Sequence, residues 1–210
     1  MNTLLTHPVF RDNVISGKII GSLGALILVV FIAVTASIGT LLLLTGIDVG
    51  FSELNRILIF SLLTFIYISS FFAFSVLVSI VSKSSGSSFI SGLVVWLNLI
   101  LIFGAIVTTV SSIVTGELIV DLGHNEEAMS MSEDLQKLSP ASYYAEAITG
   151  VRLSYGSFGI SSGKDTHGIF DTRVGIGNWF VDYRSNVVIL TSIPVLMFIA
   201  SYVAFLRRDI

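Results

Sequence analysis

Residues 19–45 read IIGSLGALILVVFIAVTASIGTLLLLT, with no charged side chain. About 20 mostly apolar residues cross the ~30 Å hydrocarbon core of a bilayer, so this stretch alone commits the chain to a membrane. Three further stretches have the same character: Ile57 to Val81, Phe89 to Thr115 and Val187 to Leu206. Only hydrogen bonding within the segment satisfies the backbone of a single span in lipid, which makes each a helix. The apolar/polar alternation of a barrel strand is absent. The expected fold is therefore an all-α polytopic membrane protein of four transmembrane helices (19–45, 57–81, 89–115 and 187–206), with a helical and looped extracytoplasmic segment, 116–186, between spans three and four.

Composition agrees. Of 210 residues, 53% are hydrophobic and 12% charged, about half the charged share of a soluble domain. Mean hydropathy is +0.91. There is no cysteine, so neither disulfides nor thiolate metal ligation enter. Met1 to Ile15 carries His7, Pro8, Arg11 and Asp12 and lacks the basic start and apolar core of a cleavable signal.

Lysine and arginine beside the spans set the expected orientation. Arg11 and Lys18 precede span one, Lys83 lies between spans two and three, and Arg207 and Arg208 follow span four. Four spans put these groups on one side. The other side holds Asp48, Glu53 and Arg56 in a short loop and the acid-rich segment from Gly116 to Asn186. Both termini are thus expected in the cytoplasm: 1–18 a cytoplasmic segment, 207–210 a cytoplasmic tail.

Small residues recur at four-residue spacing in span one, at Gly17, Gly21 and Ala25 and again at Ala33 and Ser37, and in span two at Ser69, Ala73, Ser75 and Ser79. Such ladders let helices approach closely, although glycine and serine also abound in membrane helices generally. Asn98, near the middle of span three, either packs against a neighbouring helix or lines a substrate path. Pro194 removes a backbone donor and predicts a kink in span four. No ionisable residue lies within the four expected spans, which disfavours an ion-driven pump working alone.

A segment as long as 116–186 is expected to be a small folded unit. Glu126 and Glu127 open a helix expected from Asn125 to Lys137. Ser139-Pro140 starts a second, Ser as cap and Pro at the first helical position, carrying Tyr143, Tyr144, Ala147, Ile148 and Val151 on one face to about Arg152. Gly156 to Gly177 is rich in glycine and serine and reads as loop or short strands. Trp179, Phe180 and Tyr183 precede span four, where aromatic rings anchor at the headgroups or contact a substrate.

Catalytic and cofactor motifs fail on spacing. His7, His124 and His167 are far apart and supply no convergent metal ligands. Gly163-Lys164 lacks the glycine five residues earlier, where Phe158 stands, and Asp165 replaces the Ser or Thr of a phosphate loop. Glu126, Glu127, Glu133 and Asp134 read as a solvated helix face rather than an acid/base set. No catalytic, cofactor-binding or metal residue is assigned.

Four stretches carry a resemblance in chain order. Leu4 to Gly21, LLTHPVFRDNVISGKIIG, resembles the segment of ABC-2 type permeases that leads from a cytoplasmic coupling element into a span, with Pro8, Arg11, Gly17 and Lys18 at the matching places. Val81 to Trp96, VSKSSGSSFISGLVVW, is similar to the family's short cytoplasmic turn before its fifth span. Leu138-Ser139-Pro140 with Tyr143-Tyr144 resembles the outer segment of NosY-like permeases, and FLRRDI at 205–210 resembles the basic terminus. Permeases of that family have six spans, so the pattern here starts after the second, and the first two spans are expected either to be missing from this sequence or to come from another subunit.

The resemblance implies the transmembrane subunit of an ATP-driven ABC transporter in the plasma membrane, an exporter, working with a separate ATPase that uses the ATP. It implies a dimer with a second permease copy or a paralogue, and no nucleic acid partner. Pro8, Arg11 and Lys18 become the expected coupling contacts with the ATPase. Gly17, Gly21, Asn98 and Pro194 become expected helix-packing or path-lining positions. A membrane scaffold whose outer segment binds a partner is the alternative.

Overall fold

In a computed structural model of the chain, residues 11–46, 50–82, 84–98, 102–116, 126–153, 160–161 and 167–207 are described. They form helices α1 (Arg11–Thr45), α2 (Phe51–Val81), α3 (Ser85–Leu97), α4 (Phe103–Thr115), α5 (Glu126–Gln136), α6 (Pro140–Thr149) and α7 (Ile176–Arg207). Strands β1 (Arg152–Leu153) and β2 (Ile160–Ser161) lie between α6 and α7 and pair antiparallel, Arg152 opposite Ser161.

This is an α-helical membrane protein. Three helices are long and apolar enough to cross a bilayer: Ser16–Thr45, Phe51–Val81 and Ile176–Arg207. α1, α2 and α7 have 35, 31 and 32 residues, about 46–53 Å each at 1.5 Å per residue, and so overreach the hydrocarbon. The surplus is at the N-terminal ends. α2 starts at Phe51 rather than Ile57, and α7 at Ile176 rather than Val187.

The stretch 89–115, expected as one span, is built from two α-helices of 13 residues, α3 and α4; Asn98 and Ile102 between them are π-helical with right-handed helical dihedrals, and 99–101 lie outside the described residues. At about 20 Å each, neither crosses the hydrocarbon alone. The serine-rich turn explains where α3 begins: the Ser84 side chain accepts from the Ser87 N–H at 3.2 Å. α3 packs on α2, whereas α4 packs on α5, so the two halves serve different neighbours.

α2 and α7 lie along each other and run in the same direction. Leu63 and Leu190 share one core cluster, the Phe72 and Phe198 rings sit 5.9 Å apart, and further on Ser201 faces Ala73, both fully buried. Ser69, Ser70 and Ala73 are buried on α2 and keep that seam narrow. The small-residue ladder of α2 therefore divides. Ser75 lies two residues, some 200° around the helix, beyond Ala73, and with Ser79 it faces α3 instead.

α6 starts as the sequence predicts: the Ser139 hydroxyl accepts from the Ala141 N–H at 3.3 Å, and Pro140 opens the helix. It stops at Thr149 because Gly150 takes φ +75°, a conformation side chains resist. α6 lodges against both α2 and α7, joining Ala147, Tyr143, Tyr144 and Ile148 to the core around Leu63, Ile169, Trp179, Tyr183 and Leu190. By contrast α1 packs mainly on α2, and among its side chains with described burial only Val30 is buried.

Candidate functional site

The densest set of polar side chains lies where α6 meets α2 and α7. Arg56, in the second turn of α2, is buried; its Nη1 donates to the Ile169 carbonyl and its Nη2 to the Val174 carbonyl at 2.6 Å. These two carbonyls bracket the turn that leads into α7. Ile169 is fully buried, and its N–H donates to the Ile148 carbonyl at 3.1 Å. Gly168 permits that approach: a Cβ there would collide with the backbone of Ile148 and come within 2.6 Å of Thr149 C.

Deeper along α2, the Tyr144 hydroxyl meets Thr64 Oγ1 at 2.9 Å, and its ring stacks on Tyr67 with centroids 4.5 Å apart. Asn186 Nδ2 donates to Glu146 Oε2 at 2.9 Å, and the Trp179 indole N–H donates to the Ala147 carbonyl at 2.9 Å. Trp179 and Tyr183 are buried with rings 5.7 Å apart. They hold α6 to α7, so the headgroup-belt reading fits only Phe180, which is exposed.

Beside this cluster, Asp171 Oδ2 meets His167 Nδ1 at 2.5 Å and Arg173 Nη2 at 2.8 Å. The Arg173 guanidinium, then its backbone N–H, then His167 hold the Asp171 carboxyl well below the usual carboxylate range. A depressed carboxylate contributes its stabilisation above the unfolded value and loses it as pH falls through the folded one. Proteolytic protection of residues 167–174 is therefore expected to stay constant from neutrality down to about pH 3.8 and to weaken only below it. In Asp171→Asn that acid transition should vanish; a transition near pH 6 instead would contradict this assignment.

The residues singled out in the sequence do not gather in this cluster. Pro8 lies outside the described residues, and Arg11 is the first residue of α1. Gly17, Lys18 and Gly21 are exposed on α1, and a Cβ added at either glycine meets nothing within 4 Å. Neither glycine packs against another helix of this chain. Gly17→Leu and Gly21→Leu should leave monomer stability within about 0.5 kcal/mol, the range of surface substitutions, while reducing dimer recovery in cross-linking. Equal destabilisation of the monomer would place an intrachain partner there. Asn98 directly follows α3, half-buried and with helical dihedrals, and Pro194 is buried within α7.

Sequence reasoning missed Arg56, Thr64, Tyr67, Glu146 and Asn186. One signal was present: an arginine immediately before an apolar run marks either a flank or a buried donor, and the sequence does not separate the two. Among the described residues no group of three His, Cys, Asp or Glu side chains converges as a metal site would require. What the cluster does chemically is mechanical: it ties a short helix and a buried turn to two transmembrane helices.

The whole chain, residues 1–210, matches the family described as ABC-2 family transporter protein. No curated protein and no solved structure matches it.

Proposed function

The chain belongs to the ABC-2 transporter family, and on that premise we propose that it exports its substrate together with a separate ATPase subunit, as one half of a permease dimer. The family match over the full length carries this reading: proteins of this kind are the transmembrane subunits of ABC transporters and are not themselves catalytic. ATP is used by the partner.

In this reading the chain crosses the membrane four times, with both termini cytoplasmic. The parallel course of α2 and α7 supports it. A chain that descends through α2 and later descends again through α7 must first return, and the apolar residues between them are those of α3 and α4. The third crossing is then made by α3 and α4 in succession. The segment carrying α5, α6 and the buried turn faces outside, and the Lys83 connection faces the cytoplasm.

Coupling runs through the residues before and at the start of α1: Pro8, Arg11 and Lys18. The ladder of Gly17 and Gly21 serves the second permease copy, as their free surroundings within this chain favour. Force from ATPase closure would tilt α1, which among the described residues packs mainly on α2. Arg11→Glu in the permease–ATPase complex is expected to bring the permease-dependent ATPase rate down to that of the free ATPase, with membrane insertion unchanged. A rate equal to wild type would remove Arg11 from the coupling contact.

A further inference from the structure

Between α2 and α3 lies an open cleft of about 490 Å³, within the ~300–1,000 Å³ of ligand pockets. Ser75 and Ser79 line it from α2, and Ser88, Phe89, Leu93 and Trp96 from α3; Gly92 passes Ser75, an added Cβ lying 4.0 Å from its Oγ. The hydroxyls are in an unusual state for a membrane helix. On α2, Ser61, Thr64, Ser69 and Ser70 each donate to the carbonyl four residues earlier. Among the described residues, the Ser75, Ser79 and Ser88 hydroxyls make no such bond, so three donors face the cleft unused.

Polarity is also graded along it. Ser79 and Ser75 lie about 3 and 9 Å from the end of α2 at Val81, and Ser88 about 5 Å from the start of α3, at 1.5 Å per residue. Leu93 and Trp96 extend to about 16 Å from the same turn. Hydroxyls near the turn and apolar surface toward the centre follow the profile of one bilayer leaflet. Among the described residues, no ionisable side chain lines the cleft.

We propose that this cleft is a site for one ester-linked membrane lipid of the leaflet at the α2–α3 turn, its carbonyls on the serine hydroxyls and one acyl chain along Phe89, Leu93 and Trp96. The leaflet assignment, cytoplasmic, rests on the four-crossing reading above; the site itself does not.

Trp96 reports on it directly. The chain has two tryptophans, and Trp179 is buried, so Trp179→Phe leaves Trp96 as the sole emitter. This variant, reconstituted in ether-linked phosphatidylcholine, which lacks the ester carbonyls, with a low mole fraction of ester-linked, acyl-brominated phosphatidylcholine, is expected to be quenched beyond that mole fraction. Random exchange around the protein quenches only in proportion to it. Adding Gly92→Leu, which fills the cleft, should return quenching to proportionality. Ser75→Ala with Ser79→Ala, which removes donors without filling space, should reduce the excess in the same direction. Proportional quenching in the starting variant overturns the site, as does an excess that all cleft variants retain. Protection of Trp96 below proportionality overturns it too, assigning the cleft to a second copy of this chain. No ATPase takes part, so a failure here leaves the coupling reading standing, and loss of the coupling reading leaves the lipid site testable.

Discussion

Arg56→Ala is expected to lower the stability of the folded chain by about 3 kcal/mol or more, through the loss of two hydrogen bonds from a charged donor. Its two guanidinium nitrogens hold the carbonyls of Ile169 and Val174, on either side of the turn that launches α7. Hydrogen bonds to a charged donor contribute about 1.5–3 kcal/mol each, and truncation strands both acceptors away from water. Against a typical stability of about 5–15 kcal/mol this is a large fraction. The turn should open first, because α2 and α7 keep their separate seam through Leu63, Ala73, Leu190 and Ser201. Thermal unfolding in detergent, with proteolysis mapped to residues 167–175, measures both effects. Arg56→Lys should recover part of the loss, since an ammonium lacks the planar fork that spans two carbonyls. Wild-type unfolding and proteolysis in Arg56→Ala would mean that Arg56 is a flank charge only.

Trp179→Ala is expected to cost about 3–5 kcal/mol as well, the range for emptying a large aromatic site in a core. Trp179 is among the largest fully buried side chains, and its indole N–H reaches the Ala147 carbonyl. Trp179→Phe keeps most of the packing and loses the hydrogen bond, a change nearer 1 kcal/mol. This ordering separates a core residue from a headgroup anchor. An anchor would give small losses in both variants that depend on the lipid. A core residue gives a large loss for alanine in any detergent, together with release of α6, which proteolysis after Lys137 would detect.

The membrane class and the long helices were legible because they rest on composition: runs such as Ile57 to Val81 have one physical explanation. The start of helix α6 was legible too, since Ser139-Pro140 acts locally, but its end, expected near Arg152, falls at Thr149, where Gly150 takes the left-handed conformation. The π-helical turn at Asn98 and Ile102 was not, because the residues around it are equally apolar and hydropathy does not register a change of packing partner. Arg56 was hidden by its place at the edge of an apolar run. Trp179 and Tyr183 read as a belt because what buries them, α6 and the turn at Ile169, is brought in by tertiary contacts. Orientation, coupling and dimer contacts rest on partners that a single chain does not contain.

The central claim is that this chain works as the permease of an ATP-driven transporter. Tagged chain purified in mild detergent from its native membrane, with mass spectrometry of all that is retained, tests it most directly. The account predicts an ABC ATPase in stoichiometric amount. Recovery of the chain with a partner of its α5–α6 segment and no ATPase would contradict it and make the protein a membrane scaffold.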